Sequence, residues 1–136
     1  MEIGVAQMRD HVERIIRENG IVFRGIKDIR ESRCFPWGNG VVPVVQFVPV
    51  RCQRTYAIAL HELGHALGAK QYHVDEIVRE RDAWDWARAN AIVWTPAMER
   101  LAAASMRRST ERWEAGQKIL NAMHERADRA VNFDCE

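Results

Sequence analysis

The sequence predicts a small α+β domain in which one amphipathic helix is followed by β-rich segments and then by helices. Three observations carry that expectation. Apolar residues recur at three- and four-residue steps in residues 6–19, β-branched residues crowd residues 41–50, and helical periodicity covers most of residues 54–130. At 136 residues the chain suits one hydrophobic core, so residues 1–136 are read as a single domain.

The first helix, residues 6–19, is marked by Val5, Met8, Val12, Ile15 and Ile16, with Gly20 as its stop. Ile21, Val22 and Phe23 open a β-like segment running toward Ile29, and residues 31–40, with Pro36 and Gly38-Asn39-Gly40, read as loop. Residues 41–50 read as a strand. Pro43 and Pro49 have no N–H to give a ladder, which places that strand at the sheet edge. Such an edge accepts an extended peptide as an added strand, or is simply blunted by its prolines.

Residues 54–67 form the next helix, with Gly68 as its C-cap. Residues 74–93 form another, with Ile77, Trp84, Ala87 and Ala91 on one stripe. Thr95 as N-cap and Pro96 at the first helical position open a third helical region that reaches residue 130, with a break near Ser109 and Thr110. Its second half carries a narrow apolar stripe of Trp113, Leu120, Met123 and Ala127. The helices are expected on one face of a short twisted sheet. Trp37, Trp84, Trp86, Trp94 and Trp113 are mostly core candidates, while His11 and His124 are expected at the surface.

Composition excludes more than it identifies. Apolar residues at 47% and charged residues at 29% are ordinary for a globular chain, and a net charge of +1 exerts no global pull toward nucleic acid or membrane. No apolar run approaches the roughly 18 residues of a membrane span, and the opening residues lack the apolar core of a signal peptide. Cys34, Cys52 and Cys135 are odd in number and contain no Cys-x-x-Cys pair, which argues against a disulfide framework and a cysteine metal site. Reduced thiols in the cytoplasm are the expectation.

The chemistry enters at His61-Glu62-Leu63-Gly64-His65, which fits H-E-x-x-H. Residues four apart on a helix stand one turn above each other, so both imidazoles can face one ion. Glu62, one step round, can reach a water beside that ion without ligating it, as a general base requires. Chance alone would place this pattern in roughly one or two in a hundred chains of this composition, so its setting matters. It lies within an apolar-periodic helix whose Leu60, Leu63 and Leu67 form the core stripe, and Ala57, Gly64 and Gly68 leave room beside the ligands for a metal and a substrate backbone. One Zn2+ per chain, held by His61 and His65, is therefore expected within a small zincin-like domain, with a catalytic core over residues 41–96 and a helical extension over residues 96–130.

A catalytic zinc site needs a third protein ligand. The longer pattern H-E-x-x-H-x-x-G-x-x-H would place it at Gln71, a poor ligand, and His73 is two residues out of register. The next helix offers acids instead. Glu80 ranks first because Ala83, Trp84 and Ala87 follow it at three, four and seven residues, so it extends a packing face where an acid needs a partner. Asp82 ranks second. Glu76 ranks third, with a role as a supporting partner of a ligand histidine.

Residues 54–65 (Arg-Thr-Tyr-Ala-Ile-Ala-Leu-His-Glu-Leu-Gly-His), followed by Glu80-Arg81-Asp82-Ala83-Trp84-Asp85-Trp86-Ala87 and Pro96, resemble the ImmA/IrrE-type metallopeptidases. In that family an H-E-x-x-H helix precedes a helix reading about E-x-E-A-N-x-F-A that ends near a proline. The resemblance spans residues 54–96 and implies His61 and His65 as ligands, Glu62 as base, and Glu80 or Asp82 as third ligand. It also implies a bacterial or phage regulatory peptidase that cleaves a repressor protein. Asp82, Trp84 and Trp86 stand where the family pattern has glutamate, asparagine and phenylalanine.

Tyr56, Tyr72 and His73 are candidate donors to the oxyanion of peptide hydrolysis. Arg107, Arg108 and Arg112 read as a solvated helix face rather than a site for an acidic partner or nucleic acid. The expected activity is a zinc metallopeptidase acting on a protein or peptide substrate. The alternative is a catalytically silent zinc-binding module, an accessory or anti-repressor protein, against which the intact Glu62 counts.

Overall fold

A computed structural model describes residues 2–36 and 42–134, with the backbone alone described for residues 130–134. Trp37, residues 38–41 and Cys135 lie outside the described residues. The order of elements is α1 (Val5–Glu18), β1 (Val22–Gly25), a 3-10 turn (Ile29–Glu31), β2 (Arg33–Phe35), β3 (Val44–Phe47), α2 (Gln53–Leu67), α3 (Glu76–Asn90) and α4 (Pro96–Asp134). The fold is α+β, as the sequence predicts.

The sheet departs from expectation in two ways. Its order is β1-β3-β2, so β3 is the central strand, parallel to β1 and antiparallel to β2. Pro43 and Pro49 bracket the paired residues rather than interrupt them, and the carbonyl of Pro43 accepts the Val22 N–H at 3.0 Å. Proline therefore does not mark the edge here. The second departure is β2, a strand within the segment read as loop; only three residues long, it is fixed by pairing Phe35, Cys34 and Arg33 with Val44, Val45 and Gln46. Along β3 only Val45 and Phe47 are fully buried, the alternation of a sheet covered on one face.

The helix α2 is the hub, touching α1, β2, β3, α3 and α4. Tyr56, Ala57, Ala59, Leu60 and Leu63 are completely buried on it. Its N-terminus is held by Thr55, whose hydroxyl accepts the N–H groups of Arg51 and Cys52. Tyr56 then ties three layers together. Its hydroxyl accepts the Ile92 N–H at 3.0 Å, leaving its own proton for His11 Nδ1 at 2.7 Å. Burial, then the charge of Arg14, lowers the His11 pKa, in keeping with a neutral ring that accepts. His11 is thus a buried strut between α1 and α2 rather than the expected surface residue.

The register between α2 and α3 is set at Gly64. A Cβ there would run into the Ala83 backbone, reaching its Cα at 2.9 Å. Gly68 has φ −66°, so it does not cap α2 through a left-handed turn; it is small because the Asp82 carboxylate lies against it. The space beside these glycines is thus filled by α3, and Ala57 is buried in the core, so none of the three leaves room for a metal or substrate. Farther on, α4 runs unbroken through Ser109 and Thr110. Ser109 is buried and the Thr110 hydroxyl donates to the Met106 carbonyl, so neither hydroxyl interrupts the helix. Trp84 is core, whereas Trp113, Leu120 and Met123 on the second half of α4 are exposed.

Alanine raises stability by about 1 kcal/mol over glycine in an open helix, but overpacking a tight contact costs about 1–3 kcal/mol. Gly64→Ala is therefore expected to lower the melting temperature and weaken metal retention together, as read by calorimetry and metal analysis. An unchanged melting temperature would show that the helices do not need this approach.

Candidate metal centre

Packing Ala83 against Gly64 places the preceding turn of α3 over the histidines of α2. His61 Nε2 lies 2.9 Å from one oxygen of Glu80 and His65 Nε2 lies 3.1 Å from the other. His61, His65 and Glu80 each offer one donor atom, all within 4.8 Å of one another, and together could hold a metal ion. Among the described residues they are the group of three or more such side chains that meets this condition. The acid ranked first from the packing face of α3 is the one brought to the histidines.

The other acids serve elsewhere. Asp82 Oδ2 accepts the Lys70 N–H at 3.0 Å and a proton of the Gln71 amide at 2.8 Å, which commits it to the loop between the helices. Glu76 lines the cleft 3.9 Å from Arg112 and contacts neither His61 nor His65, contrary to the supporting role expected of it. Tyr56, the third oxyanion candidate, is committed to His11 and Ile92 inside the core. Tyr72 is 81% exposed and does not line the cleft. Nor does His73, whose Nδ1 accepts the Asp75 N–H.

Both imidazoles are held from behind. Trp84 stacks on His61 with centroids 4.2 Å apart and planes 18° from parallel. Its own indole N–H is buried without a hydrogen-bond partner among the described residues, a cost set against that stacking. His65 is oriented by Gln71. The Gln71 amide nitrogen donates to the Arg79 carbonyl and to Asp82, both at 2.8 Å, so its oxygen must be the atom 2.9 Å from His65 Nδ1. An amide oxygen accepts only, so Nδ1 carries a proton and Nε2 is the nitrogen directed at Glu80. Gln71, a poor ligand on the sequence reading, fixes the orientation of the His65 ring. A glutamine six residues after His65 in a short loop, with an acid eleven residues further on, is the signal that reveals it.

Glu62 is 6% exposed, with its carboxylate in the cleft wall 3.4 Å from His61 Nδ1. Burial alone would lower the His61 pKa, but Glu62 and Glu80 outweigh it and hold the ring up at about 9. Burial would raise Glu80, yet His61 and His65 keep it well below the ordinary carboxylate range. Cys34, also in the cleft wall, is pushed up to about 12 by burial and the charge of Glu62, so it stands as a neutral thiol. The cleft measures about 640 Å³ and draws on segments outside residues 41–96, including β2 and Ser105, Arg108 and Arg112 of α4.

Comparison of the chain with protein-family models, curated proteins and solved structures finds no match. The resemblance to the ImmA/IrrE-type peptidases rests on the residues quoted for it.

Two outcomes follow. Gln71→Leu should weaken zinc binding about 10–100-fold in chelator competition while leaving the helical circular dichroism unchanged; undiminished affinity would remove Gln71 from the site. In metal-free protein, the raised His61 pKa stabilises the fold fully below its ordinary 6.5, and that contribution is lost as pH rises through about 9. The depressed Glu80 contributes above its ordinary 4.5 and is lost only in acid. The melting temperature of chelator-treated protein should therefore fall between pH 6.5 and 9, and His61→Gln should flatten that fall. A level profile in the unsubstituted protein would contradict the assignment.

Proposed function

We propose that the chain is a zinc-dependent metallopeptidase that hydrolyses a peptide bond in a protein substrate. The observation that carries this reading is the convergence of His61, His65 and Glu80 at the floor of an open cleft, with Glu62 beside them. Two imidazoles and one carboxylate are the ligand count and type of catalytic zinc, whereas structural zinc takes four protein ligands. When bound, zinc polarises the scissile carbonyl and lowers the pKa of a coordinated water to about 7.

The remaining work belongs to the protein. The Glu62 carboxylate takes the proton of the attacking water and delivers it to the departing amide nitrogen. Trp84 and Gln71 keep the two ligand rings from turning away. The substrate backbone runs along β2, an edge strand whose Arg33, Cys34 and Phe35 line the cleft, and gains strand-like hydrogen bonds there. This moves the docking edge from residues 41–50, where the prolines suggested it, to the strand the sequence hid.

The resemblance over residues 54–96 supports a bacterial or phage regulatory protein as the substrate, by analogy. Free thiols at Cys34 and Cys52 fit a reducing compartment, and a cytoplasmic location belongs to the same proposal. Among the described residues no helix is long and apolar enough to cross a membrane.

Protein purified without chelator should carry close to one zinc per chain by plasma emission analysis. His61→Ala, His65→Ala and Glu80→Gln should each lose that metal. Glu62→Gln should keep it and lose peptide hydrolysis by at least about a hundredfold. Metal retained in the double-histidine variant, or full turnover in Glu62→Gln, would overturn the reading.

A further inference from the structure

Five arginines, Arg30, Arg33, Arg79, Arg108 and Arg112, line the same cleft as the metal-site residues, against three glutamates. They come from the 3-10 turn, β2, α3 and α4, so the fold rather than a run of sequence gathers them. Two are offset locally. Arg30 is held by both oxygens of Asp28, and Arg112 faces Glu76 at 3.9 Å. Glu62 and Glu80 are engaged with His61 and His65, and their two charges would balance a divalent ion at the site. Arg33, Arg79 and Arg108 remain uncompensated.

Those three differ in how they are held. Arg79 donates through Nη1 to the carbonyls of His73 and Val74, which fixes its guanidinium without neutralising it. Arg33 and Arg108 have no ion pair or side-chain hydrogen bond among the described residues. A guanidinium presents paired N–H donors that match a carboxylate, and the match strengthens where a cleft limits water.

We infer that the cleft selects acidic peptide, a segment with Asp or Glu side chains flanking the bond presented to the metal centre. This rests on the peptidase reading for the chemistry, though not for the binding. A nucleic acid fits less well. The chain carries a net charge of only +1, and a phosphodiester entering the cleft meets the carboxylates of Glu62 and Glu76. An acidic peptide sets its uncharged backbone over the floor and its side chains on the arginines.

The test uses zinc-loaded Glu62→Gln protein, which binds without turnover, and fluorescein-labelled peptides that differ only in Glu against Gln. At low salt, anisotropy should show the acidic peptide binding about tenfold tighter, a margin that shrinks as salt is added. Arg33→Gln and Arg108→Gln, on separate elements, should each narrow that margin with zinc content unchanged. Equal affinity for the two peptides would overturn the inference. So would a labelled single-stranded oligonucleotide binding as tightly as the acidic peptide. Should unsubstituted protein cleave nothing while the preference persists, the peptidase reading fails and this one stands.

Discussion

The contact between the Gly64 backbone position and the Ala83 backbone governs the molecule. It fixes how closely α3 approaches α2, and therefore how far the Glu80 carboxylate lies from the two imidazoles. Donor atoms of a metal site must meet within a few tenths of an ångström, a tolerance that long flexible side chains do not provide alone. Here backbone against backbone provides it. The remaining helical contacts support that arrangement: Tyr56 ties α2 to α1 and to the segment after α3, and Met98 and Ala102 bury α4 against the same core.

The electrostatics follow from that geometry. Three carboxylates and two imidazoles sharing a cleft would be unfavourable if left uncompensated, yet each charge near the floor has a partner within hydrogen-bonding or ion-pair reach. The positive excess is displaced to the walls, where exposed guanidinium groups cost little. The arginines of the walls and the His61, His65 and Glu80 group of the floor are thus separated in space.

How much of this was legible in the sequence depended on the distance over which each feature is encoded. The helix bearing His61 and His65, the place of Glu62 beside them and the approach of Glu80 all arise from spacing within one or two turns, and local periodicity carries them. β2 was not legible because three residues contain too little alternation to signal a strand, and only pairing with β3 defines it. The edge assignment of β3 failed because Pro43 and Pro49 sit just outside the paired residues, a boundary effect that composition does not resolve. His11 and Gln71 were missed for a shared reason. Each is a polar residue whose role comes from a partner on another element, Tyr56 in one case and Asp82 with His65 in the other.

The donor set spans little chain. His61 and Glu80 are 19 positions apart, joined by one short connection between consecutive helices. Closing so small a loop removes little chain entropy, and local closures precede long-range ones during folding. All three candidate donors therefore belong to one two-helix hairpin, assembled without any residue of α4 or of the cleft walls.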